Sequence, residues 1–174
     1  MPSKPASTAK NRVLPSERIQ QLGIVLPPAP IPVATYTSNR QLGNCLYLSG
    51  QGPVDASGHI QTGKVGAEIS VDDAYQHARL TGLNLLAVLN QAAGGLDRVK
   101  RVIKLLGLVN ATPEFTQHPK VINGCSDLFV EIFGDEAGRG ARSAIGAGSL
   151  PGNQTVEIEA IFELFDDDES AVCG

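Results

Sequence analysis

The sequence predicts an α+β domain in which two helices cover one face of a mixed, mostly antiparallel sheet. Two segments, residues 70–93 and 120–133, carry apolar residues at helical spacing. A third segment, residues 156–165, alternates apolar side chains with others at a period of two, which is typical of a strand. With the short apolar runs between them, the elements follow the order β-β-α-β-α-β-β, which is typical of an α+β fold.

Length and composition indicate one globular domain. A chain of 174 residues with 42% hydrophobic residues is long enough for one core and too short for two comfortable ones. The formal net charge is -4, and the lysines and arginines are scattered without a basic stripe. We therefore expect no nucleic-acid partner, and no apolar run is long enough to predict a membrane partner.

The two ends of the chain are predicted to lie outside this domain. Residues 1–15 are polar and lack periodicity, which predicts a disordered arm. Residues 166–174 form an acidic tail that we expect to be solvated. A single domain over residues 16–165 remains, and the first fourteen residues lack the apolar segment of a secretory signal.

Cysteine and histidine spacing gives no sign of a disulfide framework or a metal site. The three cysteines have neither CxxC nor metal-type spacing, so we expect free thiols in a reducing cytoplasm. The histidines are spread over loop, helix and loop, so no metal ligands are predicted. These residues are Cys45, Cys125, Cys173, His59, His77 and His118.

A short helix is predicted near the start of the domain. Ser16 is a typical N-cap, and residues 17–22 can form a helix that ends at Gly23. The proline-rich segment 26–32 is then predicted to be extended and stiff, because proline fixes φ and restrains the residue before it.

The first two strands are predicted to form a hairpin. Residues 33–37 and 45–48 read as strands, and the polar, turn-rich segment 39–44 lies between them. The motif Ser49-Gly50-Gln51-Gly52-Pro53 ends the second strand, and a loop follows.

The first long helix has clear ends. Ser70 with Asp73 three residues later predicts a capping box, and Gly94 stops the helix.

Residues 99–109 read as a third strand, whose second half is almost continuously apolar. The second long helix covers residues 120–133 and ends at the following glycine.

The last strand has two different faces. One face carries the apolar residues Val156, Ile158, Ala160, Phe162 and Leu164, and the opposite face carries Glu157 and Glu159. The two glutamates therefore face either water or another subunit, and the second possibility predicts an oligomer.

The segment 139–159 is the strongest candidate for a ligand site. Arg142 lies in an extended run of small residues, where backbone and ligand can approach closely. Its guanidinium group can bind a carboxylate or phosphate through two parallel hydrogen bonds. Residues 146–152 resemble a dinucleotide-binding loop only superficially, because a strand and not a helix follows them.

Five short motifs in this order resemble the Rid family, also called YjgF proteins or L-PSP endoribonucleases. The likeness extends over residues 31–165. The motifs are Tyr36, Leu42-Gly43-Asn44, Ser49-Gly50-Gln51, Ala141-Arg142-Ser143 and Val156-Glu157-Ile158-Glu159-Ala160.

The resemblance implies a chorismate-mutase-like fold and a homotrimer, in which three sheets form a central barrel with ligand sites at the subunit clefts. It also implies hydrolysis of reactive enamines and 2-imino carboxylates, such as 2-aminoacrylate, to a 2-keto acid and ammonia, without a metal or an organic cofactor.

The resemblance also assigns roles to individual residues. Arg142 matches the arginine that holds the substrate carboxylate, and Glu157 matches the acidic residue associated with the catalytic water. Tyr36, Gly50 and Asn123 match pocket-wall positions, and the Ser143 hydroxyl and backbone are further candidates for substrate binding. From residue type alone, an ion pair between Arg142 and Glu157 is an equally good reading.

The sequence departs from the family pattern at three places. Ala144 stands where many members have cysteine, and Leu48 stands where some have threonine. The loop 115–123 is also longer than in compact members. These departures indicate a divergent branch and leave an alternative function open, a non-catalytic trimer that binds small carboxylates or acts as a chaperone. Endoribonuclease activity is a third and weaker possibility, because the chain is acidic.

Overall fold

The computed structural model describes residues 13–166. Most of the predicted N-terminal arm and all of the acidic tail after Asp166 lie outside the described residues. The α-helices and strands in chain order are α1 (Pro15–Gln21), β1 (Asn39–Leu42), β2 (Cys45–Gln51), α2 (Val71–Ala93), β3 (Val99–Asn110), α3 (His118–Phe133), α4 (Asp135–Gly138), β4 (Ala141–Ala147) and β5 (Val156–Leu164).

The five strands form one mixed sheet in the order β1-β2-β5-β3-β4. Strands β3 and β4 are parallel, and the other three neighbouring pairs are antiparallel. The predicted α+β class, with a mostly antiparallel sheet, is confirmed. Strand β4 lies at one edge of the sheet, and β5 lies at its centre.

Helices α2 and α3 cover one face of the sheet, and among residues 13–166 no helix packs against the opposite face. The five apolar side chains of β5 that the alternation placed on one face are all buried against the helices. On β3, Leu105 and Val109 face the same core. The predicted face of β5 is therefore confirmed, with Glu157 and Glu159 on the open face.

Both long helices were predicted closely. The Ser70 hydroxyl accepts the Asp73 N–H at 3.1 Å, and Gly94 ends α2 in a left-handed conformation with φ of 74°. Helix α3 begins two residues before its predicted start and has a proline in its first turn. The helices approach closely at Gly124, where an added Cβ would lie 2.0 Å from the Tyr75 carbonyl oxygen.

The first strand is not where the sequence predicted it. Residues 33–37 form no strand, and Asn39–Leu42, predicted as a turn, pairs with β2 instead. A two-residue turn at Gly43, with φ of 57°, and Asn44 makes this pairing possible. The prediction failed because β1 is an exposed edge strand, and polar residues are common on such strands.

The predicted cap of α1 is also wrong. The helix begins at Pro15, which suits a first helical position, so Ser16 lies inside the first turn. Its hydroxyl and its backbone N–H both donate to the Asp97 carboxylate, at 2.7 and 2.9 Å. Ser16 thus fastens α1 to the segment before β3.

Candidate active site

Arg142 lies on the helix-covered face of the edge strand β4. It is aligned with the buried Leu105 in the parallel register of β3 and β4, so its side chain extends toward α3. Its Nη1 donates to Asn123 Oδ1 at 2.7 Å and to Ser126 Oγ at 3.0 Å. Asn123 and Ser126 are three residues apart on α3 and therefore share one helix face.

Arg142 lines an open cleft of about 610 Å³ between α3, the α4 region and β4. The other charged groups around it already have partners. Glu131 receives two hydrogen bonds from Arg79 at 2.7 and 3.0 Å, and Arg139 is paired with Asp135 at 2.6 Å. Asp127 accepts the Tyr75 hydroxyl at 3.0 Å.

The guanidinium group of Arg142 keeps part of its binding capacity. Among residues 13–166, Nη1 is its only nitrogen with a hydrogen-bond partner, and no carboxylate forms a salt bridge with it. Nη2 and Nε together can bind a carboxylate through two parallel hydrogen bonds. The cleft therefore offers a positioned cation that is suited to a small anionic ligand.

Glu157 lies on the other face of the sheet. Its neighbours Val156 and Ile158 are fully buried on the helix side, so the half-buried Glu157 points to the open face. Its Oε2 accepts Gln154 Nε2 at 2.7 Å. An ion pair between Arg142 and Glu157, which residue type alone had left open, does not form within the chain because the sheet separates the two side chains.

Gly50 lies directly against Glu157. The register between β2 and β5 shifts by one residue between Leu48 and Gln51, which indicates a β-bulge at this point. A Cβ on Gly50 would lie 2.5 Å from Glu157 Oε1. Glycine at this position therefore makes room for the carboxylate.

The side chains of two predicted site residues form no hydrogen bond with the side chain of Arg142 or Glu157. Tyr36 precedes β1, and about half of its surface is exposed. Ser143 lies on the open face, since it follows Arg142 along the strand, and its hydroxyl accepts Lys104 Nζ at 2.9 Å. Within one chain, the predicted residues therefore form two separate groups, Arg142 with Asn123 and Glu157 with Gly50.

The two positions that depart from the family pattern differ in their surroundings. Ala144 lies on the same face of β4 as Arg142 and packs against the core. Leu48 is buried in the core opposite Ala160 of β5. Ala144 is therefore the departure that changes the wall beside Arg142.

Sequence reasoning missed two residues of these groups. Ser126 follows Asn123 by three residues in a predicted helix, so the helical period could have placed it beside Arg142. Gln154 lies in the turn before β5, and its contact with Glu157 depends on how that turn folds. No local sequence signal indicated it.

The described residues offer neither a metal cluster nor a reactive thiol at the site. Residues 13–166 contain no group of three or more histidine, cysteine or acidic side chains arranged to hold a metal ion. Cys125 is fully buried between α2 and α3, and this burial raises the pKa of its thiol. In the same residues, no helix has the length and apolar character needed to span a membrane.

Comparison with known proteins places the fold and the sequence in one group. Residues 16–164 match the family described as "YjgF/chorismate mutase-like, putative endoribonuclease". The chain is 43% identical over 146 residues to protein TCP17 of Trypanosoma cruzi, covering 84% of this chain and 91% of that protein. It is 31% identical to a 2-iminobutanoate/2-iminopropanoate deaminase of Dermatophagoides farinae, covering 79% of this chain and 92% of that enzyme.

Solved structures agree with this grouping. The crystal structure of protein Atu1372 from Agrobacterium tumefaciens has a TM-score of 0.79 and 42% identity, covering 87% of this chain and 94% of that one. The structure of TdcF from E. coli, which contains bound serine, has a TM-score of 0.55 and 27% identity over 79% of this chain and 94% of that one. A small amino acid thus binds to a protein of this fold.

Proposed function

This chain belongs to the YjgF/chorismate-mutase-like family, and we propose that it hydrolyses reactive 2-imino or enamine carboxylates to 2-keto acids and ammonia. The observation that carries this proposal is the Arg142 guanidinium group, held by Asn123 and Ser126 and free of any carboxylate partner among the described residues. The similarity to a deaminase that acts on 2-iminobutanoate and 2-iminopropanoate supports the same substrate class.

The reaction requires a held carboxylate and an oriented water. Arg142 binds the substrate carboxylate, and Glu157 accepts a proton as the water oxygen bonds to the imine carbon. The electron pair of the C=N bond moves to nitrogen, which takes up a proton from bulk water to give a carbinolamine. Glu157 returns its proton to nitrogen as the C–N bond breaks. The hydroxyl proton of the carbinolamine passes to bulk water as the C=O bond forms, and the products are ammonia and the 2-keto acid.

We place the complete site between subunits of a homotrimer. Arg142 and Glu157 face opposite sides of one sheet, so a site that uses both requires two copies of the chain. The segment before β1 supports this assembly, because Ile31 and Val33 are 84% and 94% exposed and Tyr36, which follows them in the chain, is half-exposed. Burial of such apolar side chains against a second copy is favourable.

The proposed compartment is the cytoplasm, and the proposed partners are small carboxylates. Cys45 and Cys125, the two cysteines in the described residues, are free thiols, as is usual in a reducing compartment. The net charge of -4 disfavours nucleic acid as a partner. A second candidate function, carboxylate binding without turnover, is favoured by Ala144, which places no reactive group beside Arg142.

One assay separates these two functions. An amino-acid oxidase or a lyase dependent on pyridoxal phosphate generates the 2-imino acid in solution, and release of ammonia and keto acid is followed with and without this protein. We expect faster release for at least one imine from a small or medium-sized amino acid. Saturable binding of 2-keto acids, with no acceleration for any imine in the series, would replace hydrolysis by the second function.

A further inference from the structure

The two carboxylate oxygens of Glu157 have different surroundings. Oε2 accepts the Gln154 side-chain amide at 2.7 Å. Oε1 lies over Gly50, where an added Cβ would come within 2.5 Å of it. One oxygen is thus occupied by a protein donor, and the other is turned toward the β-bulge of β2. Since a carboxylate has four lone-pair sites, Oε1 can still accept a hydrogen bond from a water molecule.

Gln154 is itself held in place. Its Oε1 lies so close to Gly52 that a Cβ on this glycine would be 2.0 Å away. The Gly52 carbonyl oxygen in turn accepts Asn84 Nδ2 at 3.0 Å, and Asn84 is buried inside α2. The amide therefore fits between the Gly52 backbone and the Glu157 carboxylate.

The backbone that carries Gln154 is fixed by a second polar network. Asn153 has a positive φ of 56°, and its side-chain oxygen accepts Asn110 Nδ2 at 3.0 Å. Asn110 is fully buried, and its own side-chain oxygen accepts Lys64 Nζ at 2.7 Å. These contacts fasten the turn before β5 to the end of β3, and so they fix the point from which Gln154 reaches Glu157.

We infer that Gln154 is a positioning residue for Glu157. Its amide holds Oε2 in one orientation, and Oε1 is the oxygen that orients the attacking water. This inference rests on the proposed function, because it assigns work to Glu157 only if the protein hydrolyses imines. Gln154 acts through Glu157 and does not contact the substrate. Its replacement should therefore slow the chemical step and leave carboxylate binding unchanged.

Two variants disturb this contact by different routes. Gln154→Leu removes the amide and keeps a side chain of similar size. Gly52→Ala keeps Gln154 but places a methyl group where its amide now lies, and Gly52 does not have the positive φ that would strain an alanine. Gln76→Leu, at an exposed position on α2, is the matched control for the first change.

Steady-state kinetics of the folded variants with one imine decide the inference. We expect kcat to fall roughly 10- to 100-fold in both variants, because a base displaced by about 1 Å loses that much rate. KM and 2-keto acid affinity should stay within about twofold of wild type, because carboxylate binding belongs to Arg142. The control should retain wild-type values.

A double-mutant cycle with Glu157→Gln tests whether the effect passes through Glu157. Adding Gln154→Leu to Glu157→Gln should cause no further loss of kcat, because the two residues act as a unit. An equal loss in both backgrounds, or a wild-type kcat in folded Gln154→Leu and Gly52→Ala, overturns the positioning role. If Gln154→Leu does not fold, Gly52→Ala carries both comparisons. A wild-type protein that hydrolyses no imine overturns the proposed function instead, and this inference with it.

Discussion

Replacement of Arg142 by alanine should lower kcat/KM for imine hydrolysis by at least about 30-fold, since loss of a hydrogen-bonded charge partner costs about 2–5 kcal/mol. The substrate carboxylate would then lose the guanidinium group that holds it. The same variant should lose measurable affinity for 2-keto acids in calorimetric titration. Both losses share one cause, so we expect them to appear together.

Two further variants make the Arg142 result specific. Arg142→Lys keeps the charge but not the pair of parallel donors, so it should recover only part of the activity. Arg101→Ala is the matched control, because this exposed arginine pairs with Glu163 near the start of β3, away from the cleft. Folded Arg142→Ala with kcat/KM close to wild type would contradict the assignment of carboxylate binding to this residue.

Replacement of Glu157 by glutamine should act on kcat and leave ligand binding in place. The amide has nearly the same size as the carboxylate, so it still fits against Gly50. It cannot accept a proton from water, and loss of a general base lowers the rate typically 10²- to 10⁴-fold, so we expect a fall in kcat of about that size. Timed assays of keto-acid formation measure kcat, and titration with a 2-keto acid measures ligand affinity separately.

Glu159 provides the control for this change. It lies two residues along β5 on the same open face and is more exposed than Glu157. Glu159→Gln should therefore keep kcat close to wild type. If Glu157→Gln loses keto-acid affinity to the same degree as activity, Glu157 contributes to binding and the role in water activation is wrong.

Period and end signals made most of the fold predictable. The alternating strand that begins at Val156 can bury only one of its two faces, because a shift of one residue would bury Glu157 and Glu159. Ser70 and Gly94 marked the ends of α2, because each satisfies backbone groups that the helix leaves unpaired. Strand β1 was not predicted because an exposed edge strand needs no apolar face.

The candidate site was less accessible to sequence reasoning. Arg142 stood out by its chemistry among small residues, but only the resemblance assigned it a carboxylate. The contact between Gln154 and Glu157 depends on a positive φ at Asn153 and on the bulge at Gly50, and neither follows from a local pattern. The sequence did not reveal that the sheet separates Arg142 from Glu157, because this depends on the register of three neighbouring strands, β4, β3 and β5.

The proposed site requires Arg142 from one subunit and Glu157 from another. The most direct measurement is activity of oligomers assembled by coexpression of Arg142→Ala and Glu157→Gln chains, with mixed assembly verified by native mass spectrometry. Each variant alone should be nearly inactive. When equal amounts of the two chains assemble at random into trimers, about one interface site in four of the whole population combines an intact Arg142 with an intact Glu157, so activity should return to about a quarter of wild type. Mixed oligomers that stay as inactive as the single variants would contradict a site shared between subunits.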